Sequence, residues 1–98
     1  MKSSLMRFLY TIILLNLSVN IVYSQCDSLE RASQRETGAQ RVDALNEYAR
    51  CFFGPDFDKM DSLSTLALKA AEEINYTSGY ARSIQNFGLL AYLLRARS

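Results

Sequence analysis

No histidine occurs in this 98-residue chain, and that absence removes several chemistries at once. A Ser-His catalytic pair, a histidine metal site and a phospho-accepting histidine are all excluded. The two cysteines, Cys26 and Cys51, match no zinc-ligand spacing and lack partner ligands. The four glycines form no phosphate-cradling loop, and Phe87-Gly88 reads as packing. Strand-like alternation, low-complexity tracts and long structureless linkers are missing as well. Eleven basic residues against ten acidic ones give a net charge of +1 with no basic stripe, which argues against a nucleic-acid partner. Paired acids at Asp56 and Asp58, and at Glu72 and Glu73, are accounted for by helix caps and solvated faces. No nucleophile can be matched with a base, so the expectation is a protein without enzymatic activity and with no cofactor or metal.

What is present begins with an address. Lys2 and Arg7 form a charged start, an apolar run follows from Phe8 to Val22, and Val22-Tyr23-Ser24 ends on a small residue. This is the pattern of a secretory signal peptide spanning residues 1–24, with cleavage expected after Ser24. A membrane span needs roughly 20 mostly apolar residues, whereas Asn16, Ser18 and Asn20 interrupt this run. The expected location is therefore exported, periplasmic or secreted, with contact to the membrane only through the leader; an uncleaved signal anchor is the alternative. Gln25 stands where a lipoprotein cleavage box needs a small residue, which argues against lipid attachment to Cys26. The 49% apolar content is partly the leader's, and the remainder is a small domain in the size range that benefits from a staple.

Residues 25–40 read as a short capping helix and turn. Asp27 with Glu30 suggests a helix beginning at Ser28, stopped at Glu36-Thr37-Gly38. Next, Val42, Leu45, Tyr48, Ala49 and Phe52 fall on one helical face of the run from Arg41 to Phe53, which Gly54-Pro55 closes. Asp43, Asn46, Glu47 and Arg50 lie largely on other faces. Asp56 or Asp58 caps the clearest helix, Met60 to Tyr76, whose inner stripe is Met60, Leu63, Ala67, Ala70 and Ile74. Leu66, Leu68 and Ala71 widen that arc enough to expect burial on two sides. Thr77-Ser78-Gly79 reads as a break, with Ser78 capping a last helix that carries Tyr80, Ala81, Ile84, Phe87, Gly88, Ala91 and Tyr92. The fold class is all-α, with antiparallel helical hairpins joined by short connections. Asn75-Tyr76-Thr77 matches a glycosylation sequon and is read as coincidence at a helix end.

In an exported chain Cys26 and Cys51 are free to pair, and a helical hairpin brings them toward the same end. A bridge would stabilise by ~3 kcal/mol on the chain-entropy model. Two free thiols, with Cys51 in the core, is the other reading, and the residues alone leave both open.

Sliding the chain on itself so that Val42 meets Ala81 also aligns Leu45 with Ile84, Tyr48 with Phe87, Ala49 with Gly88 and Phe53 with Tyr92. Such self-similarity marks stacked helix pairs. Together with the segment Ala67 to Tyr76, these residues resemble the tetratricopeptide repeat, in the longer-period form of the exported N-terminal region of Bacteroidetes-type sensor proteins. The resemblance runs from Arg41 to Leu94, about one and a half repeats. Met60 and Ser64 depart from it, standing where a small and an aromatic residue are preferred, and the intervening turn is short.

The resemblance implies a TPR-like solenoid over residues 41–98, one full helix pair plus the first helix of a second, belonging to a fragment of a longer protein. It implies a protein-interaction or sensory input module that binds a protein or peptide, or further repeats of a parent chain. The concave face of such repeats points to Asn46, Arg50, Gln85 and Leu89 as partner-binding residues. Tyr92, Leu93 and Leu94 would be left uncovered, available for self-association. The alternative is a small secreted helical protein that binds a membrane surface or partner groove through its exposed last helix.

Overall fold

Between Met1 and Thr37 there is neither glycine nor proline, so no residue in that stretch interrupts a helix. The computed structural model describes the backbone of residues 2–97 and the side chains of residues 4–12 and 24–96. It makes the stretch a single helix, α1 (Lys2–Arg35). The short helix expected to start at Ser28 is thus absorbed into a longer one. Asp27 sits within the helix rather than capping it, and residue 24, where cleavage is expected, lies inside α1. The side chains at 13–23, most of the apolar leader, lie outside the described residues. Leu5, Met6, Phe8, Leu9, Tyr10 and Ile12 are exposed. Among the described residues α1 packs on α2 alone, where Leu29 and Ala32 are half-buried and Ser33 is buried. Among the described residues no helix is long and apolar enough to cross a membrane.

Three further helices follow: α2 (Gly38–Arg50), α3 (Phe57–Glu73) and α4 (Thr77–Arg97). Gly38, expected to stop the first helix, instead opens α2 with φ +61°, a backbone that costs glycine nothing. α2 ends short of Phe53, because the amides of Cys51, Phe52 and Phe53 turn tightly onto the carbonyls of Tyr48, Ala49 and Arg50. Asp56 is the cap of α3, its carboxylate accepting the Lys59 amide at 3.1 Å, with Asp58 in the first turn.

α3 closes one residue group earlier than the expected break at Thr77-Ser78-Gly79. Asn75 adopts φ +56°, the amide of Tyr76 donates to Ala71 O at 2.9 Å and that of Asn75 to Glu72 O at 3.3 Å. This is a Schellman closure with asparagine in the left-handed position. Thr77 to Gly79 are consequently the first turn of α4 rather than a loop.

α3 lies between α2 and α4 and packs on both, as its small residues imply. Its buried line is Met60, Ser64, Ala67 and Ala71, narrower than the stripe read from sequence: Leu66 and Ile74 are exposed. The three alanine and serine positions let helix axes approach closely, so the larger residues beside them turn outward. Ala49, Met60 and Leu90 form the centre of the core, flanked by Phe52, Phe57, Leu63 and Phe87. The hydroxyl of Ser64 is buried there with no hydrogen-bond partner.

Cys26 of α1 and Cys51, at the end of α2, are joined by a disulfide, with Cα atoms 6.2 Å apart. The bond ties α1 to the helix it packs on. Alkylation without reduction is expected to label neither cysteine, and replacing both by serine to cost about 3 kcal/mol in urea unfolding. Two labelled cysteines in freshly purified protein would contradict the bridge.

Two glycines of α4 give an opposed pair of expectations. A Cβ at Gly79 would fall 2.5 Å from both Val42 Cγ1 and Tyr76 Cδ2, whereas one at Gly88 meets nothing within 4 Å. Gly79→Ala should destabilise by about 1–3 kcal/mol through overpacking. Gly88→Ala should stabilise by up to about 1 kcal/mol, since only helix propensity changes. Equal effects of the two substitutions in chemical denaturation would sink this account of the α2–α4 contact.

Candidate functional site

Asparagine is a poor residue for a helix interior, because its amide competes for backbone groups. Asn46 and Asn86 nevertheless occupy the middles of α2 and α4, and both are fully buried. They face each other. Asn46 Nδ2 donates to Gly79 O at 3.0 Å, and Asn86 Nδ2 donates to Asn46 O at 3.2 Å and to Asn46 Oδ1 at 3.3 Å. The Ser83 hydroxyl lies 3.0 Å from Asn46 Oδ1 and 3.1 Å from Gly79 O, within reach of either acceptor. Arg50 Nε completes the set by donating to Asn86 Oδ1 at 3.1 Å.

This network changes the reading of the residues expected to bind a partner. Asn46 is 1% exposed and its amide is spent on α4, so it is a structural residue and not part of an open binding face. The helical-wheel reading placed it among the polar faces of α2, and it could not register that a second helix covers that face. Arg50 is exposed, with one nitrogen committed to Asn86. Gln85 and Leu89 are exposed on α4, one turn apart. The four residues therefore do not form one surface: Asn46 and Arg50 belong to the α2–α4 contact, while Gln85 and Leu89 belong to the outer side of α4.

That outer side is one continuous face of α4. Ala81, Ile84, Gln85, Gly88, Leu89 and Tyr92 are all exposed and, at spacings of three and four, share one face. Ile84 is 47% exposed and Tyr92 71%. Under the internal similarity the counterparts of Ala81, Ile84 and Gly88, which are Val42, Leu45 and Ala49 of α2, are buried, whereas Phe53, the counterpart of Tyr92, is exposed like it. At those three pairs the match is between a covered and an uncovered position. Gly88 in particular does not mediate a close helix crossing; the close approaches occur at Gly79, Ala67 and Ala71.

Several residues that organise this surface were not singled out from sequence. Tyr76 OH lies 2.9 and 3.1 Å from the two carboxylate oxygens of Asp43 and donates to them, pinning the start of α4 against α2. Arg82 pairs with Glu47 at 3.3 Å on the exposed side of the same contact, worth little by itself. Ser83 and Asn86 are the residues a closer reading could have found, since a buried-phase serine and asparagine interrupt the apolar period of α4. Among the described residues no group of three or more His, Cys, Asp or Glu side chains could hold a metal ion. Comparison with known proteins finds no matching family model, no matching curated protein and no matching solved structure.

Removing one member of the network strands the others in a dry contact, and each orphaned group costs about 1–3 kcal/mol. Asn46→Ala and Asn86→Ala are each expected to destabilise by about 2 kcal/mol or more, and the double substitution by clearly less than their sum. Additive losses in the double-mutant cycle would show that the two amides do not act together.

Proposed function

We propose that this chain is an exported, non-enzymatic interaction module. In this reading the leader is removed after Ser24, and residues 41–98 form a TPR-like array that engages a protein or peptide, as an input region does in a larger sensory protein. The observation that carries it is the uncovered face of α4. A helix that buries Ser83, Asn86 and Leu90 on one side turns Ile84, Leu89 and Tyr92 to solvent on the other, around a glycine with open space beside it. An apolar helical face of that kind suits a partner helix or an apolar peptide. The internal similarity supports it further, because Val42, Leu45 and Ala49, the counterparts of Ala81, Ile84 and Gly88, are buried.

Within this surface Gln85 and Leu89 remain contact residues, and Ile84 and Tyr92 join them in place of Asn46. The disulfide fits an oxidising compartment, which is independent support for export.

The test uses the mature chain and a variant carrying Ile84→Asp and Tyr92→Asp. Both positions are exposed, so unfolding stability should change by no more than about 0.5 kcal/mol. Wild type should capture a protein from the envelope fraction of its exporting host, or self-associate in light scattering, and the variant should lose that behaviour. Identical behaviour of the two chains would overturn the assignment of this face. Binding of a monodisperse wild-type monomer to lipid vesicles would instead favour the membrane-surface reading.

A further inference from the structure

We infer that Gln25 is a modification site, closing to a pyroglutamyl residue once it becomes the first residue of the mature chain. The step requires cleavage after Ser24 and so rests on the export reading above. Its chemistry is internal to one residue. The freed α-amino nitrogen attacks the side-chain carbonyl carbon Cδ, an N–Cδ bond forms and the Cδ–Nε2 bond breaks. A proton passes from the attacking nitrogen to Nε2, which leaves as ammonia. No electrons are exchanged and no co-reactant is consumed.

The tertiary structure decides where the new terminus stays. Cys26, the next residue, is bonded to Cys51, and Leu29, Ala32 and Ser33 pack the following turns of α1 onto α2. Loss of the leader therefore leaves Gln25 at the start of a docked helix and not at the end of a loose tail. Gln25 itself is exposed, so its side chain is not locked away from the nitrogen it must meet.

Closure also changes the charge at that place. A terminal ammonium would sit at the positive end of the remaining helix dipole. Arg50 lines the same crevice, together with Glu47, Leu29 and the two bridged cysteines, and Asp27 and Glu30 stand in the first turns of the same helix. The lactam is neutral and relieves the first helical turn of a cation. It also denies aminopeptidases a free amine beside the disulfide that anchors α1.

The full chain, leader included, is produced in an exporting host, purified, held at neutral pH and examined as its N-terminal peptide by mass spectrometry. The expected peptide begins at residue 25, is lighter by one ammonia than a glutamine-started one, and loses that residue to pyroglutamyl aminopeptidase. The Gln25→Ala chain should begin at the same position with no ammonia lost. A peptide that begins at Gln25 and keeps its ammonia overturns the cyclisation while leaving cleavage intact. A peptide beginning anywhere else overturns the cleavage reading and the modification with it.

Discussion

Asn46 reaches across from α2 and meets α4 with every polar atom of its side chain, and most of the architecture follows from that contact. Apolar surfaces tolerate sliding by a fraction of a turn, because their attraction depends on area more than direction. Amide hydrogen bonds do not, and a buried amide left unpaired is costly. With Gly79 O, Ser83 and Asn86 all aimed at one residue, α4 has a single satisfactory register on α2. Gly79 is part of the same constraint, since any side chain there would push Val42 and Tyr76 away and withdraw the carbonyl that Asn46 needs.

The position of α3 depends on that register. Between two helices whose spacing is set by polar contacts, the middle helix must be slim on both sides, and Ser64, Ala67 and Ala71 supply that while Met60 fills the end of the gap. Lys59, at the first turn of α3, lies over the Phe52 ring at 4.7 Å, and Phe52 is itself edge-on to Tyr48. The cation thus covers an aromatic pair at the turn where α2 gives way to α3.

The same arrangement makes the two outer helices unequal. α2 is met by α1, α3 and α4, which leaves little of it free. Among the described residues α4 is met by α2 and α3 only, and Ile84, Leu89 and Tyr92 stand exposed on its remaining side. A face of this kind is either an interface or a liability, and its combination of Gly88 with flanking Ile84 and Tyr92 suits close approach of another helix. At the opposite end, α1 is held by one disulfide and a short packed segment.

Much of this was legible in residue order alone. The helical character of each run, the Asp56 cap and the small-residue face of α3 follow from local periodicity and capping chemistry, which act between residues close in the chain. The internal similarity of α2 and α4 was legible too, but its meaning was not, because periodicity reports that a face is apolar and not whether anything covers it. The fate of Asn46 shows the limit most clearly: an asparagine on the polar side of one helix reads as solvated until a second asparagine, far along the chain, is brought opposite it. Which cysteine thiols meet, which glycine is crowded and which is open, and which side of α4 is left bare were decided only by tertiary packing, since each depends on distances between residues that the chain itself holds apart.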